Sequence, residues 1–205
     1  MQTNWKQAAF LLIAIVTIVG VSAHAQTDIS ASVYGTFNNT TTGNGTIQSA
    51  ANSGGGMIGA RHIFSPLVGL EFNFGVRGST YSLASVPSTC GARCSNQPIT
   101  LSGIAPEFTA DYVVSAKFGN LRPFGLAGLG FVFTDPTGSA IGTNSLSRPA
   151  WVGGGGADWN FASRLGLRMQ YRALFYKAPD VFRGYSPTGE YVHTQEPMIG
   201  AFVRF

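Results

Sequence analysis

The sequence predicts an all-β fold, an eight-stranded antiparallel up-and-down transmembrane β-barrel. Three observations predict it. After the first 25 residues no apolar run approaches the ~20 residues of a membrane helix, yet eight segments alternate in polarity with period two. The connections between those segments are long and short in turn. Charged residues make up only 11% of the chain while aromatics make up 12%, whereas a soluble domain carries about 25% charge. A chain with lipid outside and a packed lumen inside needs few charges, and only helices and closed barrels satisfy their backbone within a bilayer.

The leader comes first. Met1 to Lys6 is polar with one positive charge, Ala8 to Val21 is apolar, and Ala23-His24-Ala25 gives the small-x-small pattern of a cleavage site. The apolar run is too short to span a membrane and marks a signal peptide over residues 1–25. Residues 26–205 then form a single barrel domain beginning at Gln26. The formal charge falls from +4 to +3 when Lys6, the one charged residue of the leader, is removed. So mild and dispersed a charge gives no reason to expect nucleic acid as a partner.

Asp28 to Phe37 is the first strand, with Ile29, Ala31, Val33, Gly35 and Phe37 on one face and Ser30, Ser32 and Thr36 on the other. A polar loop from Asn38 to Ser53 leads to the second strand, Gly55 to Phe64, and Ser65-Pro66-Leu67 turns the chain. The third, Val68 to Gly78, alternates most cleanly: Val68, Leu70, Phe72, Phe74 and Val76 against Gly69, Glu71, Asn73, Gly75 and Arg77. A long loop through Cys90 and Cys94 reaches the fourth, Pro106 to Phe118. Gly119-Asn120-Leu121 turns into the fifth, Pro123 to Phe133, and residues 134–148 read as loop. The sixth is Ala150 to Phe161, the seventh Leu165 to Tyr176, and Ala162-Ser163-Arg164 joins them. Lys177 to Glu196 reads as the last long loop and Met198 to Phe205 as the eighth strand. Each segment is close to the 9–11 residues, roughly, of a tilted membrane strand.

Aromatic placement separates this reading from a soluble sandwich or lipocalin-like barrel. Phe37, Phe133, Trp151 and Phe175 fall at the loop ends of their strands, and Phe64, Phe118, Phe161 and Phe205 at the turn ends. Two aromatic rows separated by small and aliphatic residues are interfacial girdles. The expected location is the outer membrane, with lipid as a partner, loops extracellular and both termini periplasmic. In that oxidising compartment Cys90 and Cys94, in one Cys-Gly-Ala-Arg-Cys segment, are expected to form a loop disulfide. A metal site would need two further ligands that this loop does not supply.

The run Pro123-Phe124-Gly125-Leu126-Ala127-Gly128-Leu129-Gly130-Phe131 resembles the Pro-aromatic-glycine strand of small outer-membrane barrels similar to outer membrane protein A. Gly153-Gly154-Gly155-Gly156-Ala157-Asp158-Trp159 and the segment Arg164 to Arg172 resemble that family too. Phe205, with Val203, Ala201 and Ile199 alternating behind it, resembles the terminal signal read by the barrel-assembly machinery, which the resemblance therefore implies as a partner. The likeness extends over the mature chain, but its motifs are architectural. Nothing follows Phe205, so the peptidoglycan-binding domain of larger family members is not expected.

Some barrels of this size act on lipids, and catalysis would need a base beside a hydroxyl nucleophile, oriented by an acid. His62 has outward parity near the turn end, and His193, beside Thr194 and Gln195 in the last loop, has no serine in a recognisable arrangement. No catalytic residue, cofactor or metal ligand is assigned, and the chain reads as no enzyme. The Gly153–Gly156 run lies within an alternating strand with no helix after it, so close packing explains it better than phosphate binding. The inward charges are the candidate site: Arg61, Glu71, Arg77, Glu107, Asp111, Asp158, Arg168, Arg172 and Arg204. An eight-stranded lumen holds side chains but hardly a channel, so these acids and bases should pair and plug it. Three-residue turns would set Arg61 across from Glu71 and Asp158 across from Arg168. The leading function is a structural barrel with surface loops for adhesion or an unknown ligand. A narrow small-solute pore is the alternative, and a lipid-modifying enzyme comes third.

Overall fold

The computed structural model describes residues 26–65, 67–86, 98–136 and 145–205. The leader, Pro66, Cys90 and Cys94 lie outside the described residues, and with them the cleavage site and the disulfide. Ten strands form: β1 (Gln26–Asn38), β2 (Thr41–Gly43), β3 (Thr46–Ala50), β4 (Ser53–Ile63), β5 (Val68–Ser85), β6 (Ile99–Ser115), β7 (Leu121–Pro136), β8 (Leu146–Asn160), β9 (Leu165–Lys177) and β10 (Tyr191–Arg204). Every barrel pairing joins neighbours antiparallel, β1 pairs β10, and pairing of β5 with β6 closes the ring. The barrel has eight strands, as expected. The extra two, β2 and β3, form a hairpin on the part of β5 that rises past the barrel.

Alternation places the side chains as the pleat requires. Val33, Ile58, Val114, Leu129, Met169 and Ile199 point outward and are about half exposed or more. Their strand neighbours of opposite parity, such as Tyr34, Met57, Val113 and Met198, are buried. Of the aromatic rows, Phe37, Phe64, Phe118, Trp151, Phe161, Phe175 and Phe205 are exposed, and Phe133 is half-buried.

Several element boundaries differ from the sequence reading, among them the supposed loop 134–148, where β7 runs on to Pro136, β8 starts at Leu146 and Thr134 pairs with Leu146. The Asn38–Ser53 stretch is not all loop: Thr41–Gly43 and Thr46–Gln48 pair around a two-residue turn whose Asn44 (φ 49°) and Gly45 (φ 78°) are left-handed. Asn-Gly is the residue pair such a hairpin turn needs. β5 runs on to Ser85 and β6 starts at Ile99, so much of the supposed loop between Gly78 and Pro106 is paired ribbon. There the outward side chains, Thr80, Ser82, Thr100 and Ser102 among them, carry no apolar stripe. Alternation reports what faces lipid, not what is hydrogen-bonded, so the ribbon left no signal. Leu121 belongs to β7, because Phe118 and Leu121 bond each other across a two-residue turn with Gly119 at φ 60°. β10 begins at Tyr191 rather than Met198, with Pro197 inside it and Glu196 on the inner face. Pro197 still pairs with Tyr171 of β9 and breaks the ladder only toward β1, the side its missing N–H would have faced.

The four-glycine run divides by parity. A Cβ on Gly156 would come within 2.8 Å of the Phe124 ring and collide with the Met169 carbonyl, whereas one on Gly153 meets open space. Gly156→Val should therefore lower the urea midpoint of the folded protein, and Gly153→Val should leave it nearly unchanged. Equal effects of the two would mean that the run does not alternate between lumen and outer wall.

Candidate functional site

All nine charges predicted for the lumen are buried. Three more join them: Asp28, Arg122 and Glu196. Among the described residues, six arginines and six carboxylates thus face inward and balance one another. Asp28 shares the parity of Ser30, and Arg122 that of Phe124. Asp28 already opened the first predicted strand on the inward parity, and extending the fifth strand by one residue would have found Arg122. Glu196 was lost with the misplaced start of β10.

Toward the turn end, the registers bring Arg61 opposite Glu71 and Asp158 opposite Arg168. Arg61 Nε donates to Glu71 Oε2 at 2.5 Å, and Arg168 grips Asp158 with Nε at 2.7 Å and Nη2 at 3.1 Å. The two pairs are not separate. Arg61 Nη1 crosses the lumen to Asp158 Oδ2 at 3.0 Å, and Arg168 Nη1 lies 3.6 Å from Glu71 Oε2. Asp28 extends the layer to the seam strand: Arg204 binds it with Nε at 2.8 Å, and Arg168 Nη2 approaches to 3.8 Å. The Arg61 guanidinium also stacks on Phe124, 4.0 Å from the ring centroid, where a desolvated cation gains from the ring face.

A second layer lies nearer the loops. Arg172 Nη2 donates to Glu107 Oε1 at 2.5 Å and to Glu196 Oε2 at 2.9 Å, bridging β6 to β10. Its Nη1 lies 3.3 Å from Thr109 Oγ1. Arg77 stands 4.0 Å from Glu107 and donates to the Tyr176 hydroxyl at 3.2 Å, which meets Thr194 Oγ1 at 3.1 Å. Between the layers, Asn73 and Thr109 both donate to Asp111 Oδ2, at 3.0 and 2.9 Å. Arg122 reaches Gln26 at 3.2 Å.

The lumen is not polar all round. Val113, Phe124, Leu126, Val132, Val152, Leu174 and Val192 form an apolar cluster against one wall, chiefly on β7, β8 and β9. The same strands carry Arg122, Asp158, Arg168 and Arg172, and Phe124 of this cluster lies against the Arg61 and Arg168 guanidiniums. Such a setting makes every unpaired charge costly.

The loop end carries a core of its own. Tyr81, Leu83 and Leu101 pack with Val181, and Ala50, Ile99, Phe182 and Tyr185 close around them. Gln48 Nε2 donates to the Pro179 carbonyl at 3.0 Å and Asn44 Nδ2 to the Pro187 carbonyl at 2.8 Å. The segment between β9 and β10 is thereby fastened to the β2–β3 hairpin as a folded cap.

The remaining candidates are scattered. His62 lies 3.0 Å from Thr27 Oγ1 and edge-on to Phe64, while His193 is edge-on to Phe175 and far along β10. Among the described residues no group of three His, Cys, Asp or Glu side chains could hold a metal. Phe205 is exposed and its N–H donates to the Thr27 carbonyl at 2.9 Å.

Neither a family model nor a curated relative matches the sequence. Solved structures do. The attachment invasion locus protein of Yersinia pestis, in complex with the heparin analogue sucrose octasulfate, is 16% identical. That match covers 88% of this chain and 99% of the other, with a TM-score of 0.55. The N-terminal β-barrel domain of Pseudomonas aeruginosa OprF is 14% identical over 89% of this chain and all of its own, with a TM-score of 0.51. At such identity the likeness speaks for architecture: the chain has the fold of the small eight-stranded outer-membrane β-barrels.

Proposed function

We propose that this protein is an integral outer-membrane barrel whose lumen is closed by ion-paired layers and whose folded cap meets a ligand at the cell surface. One observation carries the reading: six arginines and six carboxylates are buried inside while the outer wall is aliphatic, bounded by aromatic rows. A soluble barrel would reverse that polarity. The surface role draws on the cap and on the Yersinia pestis neighbour, a protein named for attachment. Catalysis has no comparable support. Residues 1–25 serve as the export leader, Cys90 and Cys94 close a disulfide in the second long connection, and Phe205 engages the assembly machinery.

Protease added to whole cells tests the orientation. Cleavage is expected first in the long connections between β5 and β6 and between β7 and β8, and absent at Asn120 and Ser163. Cutting at those turns with the loop end spared would invert the protein. The closed lumen has its own measurement. Purified protein in a planar bilayer should give no steady conductance, and stable open channels would favour the narrow-pore reading instead.

A further inference from the structure

Odd-numbered residues carry the hydrogen bonds between β1 and β10. Thr27 and Phe205 exchange theirs, and Asn39 N donates to the His193 carbonyl. Gly35 and Pro197 belong to the same series, but proline has no N–H to give. Pairing of β1 with β10 lapses there, between Tyr34–Met198 and Phe37–Gln195. The Gly35 carbonyl loses its donor, and a groove of about 360 Å³ opens at the seam. Val33, Gly35, Pro197 and Ile199 line it on the outer face, with Tyr34 and Met198 behind.

A second feature stands directly above, toward the loops. There the outward face of β10 interrupts the aromatic row with Gln195, His193 and Tyr191, all exposed. Gln195 sits where its neighbours in register are Phe37 and Ala173. Lys177 is opposite Tyr191 and has no ion-pair partner among the described residues. Glu190, the acid next in sequence, is exposed too but precedes β10, and Lys177 is the one cation of the outward column among the described residues.

We infer that the β1–β10 seam binds one phosphate-bearing lipid of the outer leaflet, its acyl chain in the groove at Gly35–Pro197 and its headgroup against Gln195, His193 and Lys177. The inference rests on the membrane-barrel reading above. The groove is continuous with the lipid-facing wall, so hydrocarbon is what it meets. Hydrocarbon gives the Gly35 carbonyl no donor, so what a chain gains in the groove is van der Waals contact with Val33, Pro197 and Ile199. A cation at the interface selects an anionic headgroup, and the imidazole and carboxamide add hydrogen bonds to phosphate oxygens.

The test uses full-length mature protein refolded into phosphatidylcholine vesicles doped with phosphatidic acid, then extracted gently for native mass spectrometry. One phosphatidic acid should stay on the barrel in preference to phosphatidylcholine. Lys177→Glu with His193→Ala should cut that preference about fivefold or more, as loss of a surface cation does. Gly35→Leu should abolish retention. A Cβ there meets nothing nearer than the Phe37 ring at 3.6 Å, so the side chain grows into the groove without disturbing the backbone. Gly125→Leu, on the far wall where a Cβ lies 3.9 Å from the Gly154 carbonyl, should retain lipid as wild type does. Retention of both lipids alike, or by Gly35→Leu as well as by wild type, would overturn the site. A protein that inserts but keeps no lipid overturns this inference alone, whereas one that never inserts overturns the barrel reading with it.

Discussion

Arg172→Leu is expected to destabilise the barrel by about 3–5 kcal/mol, the cost of leaving buried charges unpaired. Its Nη2 alone holds Glu107 from one strand and Glu196 from another, at 2.5 and 2.9 Å. Without the guanidinium, two buried carboxylates face the same space with only Arg77 near, 4.0 Å from Glu107. Arg172→Lys should rescue little, because one ammonium cannot reproduce the fork that reaches Glu107, Glu196 and Thr109 together. Adding Glu196→Gln to Arg172→Leu should recover much of the loss, since Arg77 and Glu107 then remain as one cation and one carboxylate. The measurement is the folded fraction in detergent against urea. A leucine variant as stable as wild type would mean that this layer is hydrated and not the closed one described.

The second large effect concerns Asp158. Asp158→Asn and Arg168→Gln should each cost about 3 kcal/mol or more, and the double variant much less than their sum. Asp158 also accepts from Arg61 across the lumen at 3.0 Å, so its loss takes a carboxylate from two guanidiniums at once. Asp158→Asn should therefore be the worse of the two single changes, because Arg168 leaves behind an Asp158 that keeps Arg61. A urea series on the four proteins gives the coupling. Plain additivity would place the two residues apart, in conflict with the register.

Much of the barrel was legible because period-two alternation is a local property. The face of every barrel strand, the nine predicted lumen charges and the pairs Arg61–Glu71 and Asp158–Arg168 follow from parity and a short turn, where ten residues of chain fix who stands opposite whom. The wide connections gave no such constraint. The Asn44-Gly45 hairpin was there to be seen as a turn, but the partner of β3 is Tyr81–Ser85, more than thirty residues away, roughly, along the chain. Pro197 pointed to a strand boundary, since sequence does not tell whether a missing N–H faces a neighbour on one side only.

What the sequence determined by itself is therefore the strand count, the lumen parity and the pairing within hairpins, all set by the pleat and by turns of two or three residues. Only the closed structure decided that Arg61 reaches Asp158 and that Arg172 holds two glutamates. It also decided that apolar residues of β6 to β10 pack into one cluster inside. The physical reason is closure. Joining β5 to β6 and β1 to β10 brings side chains from distant strands across a lumen one residue wide, and the stagger that sets their heights is a property of the whole ring.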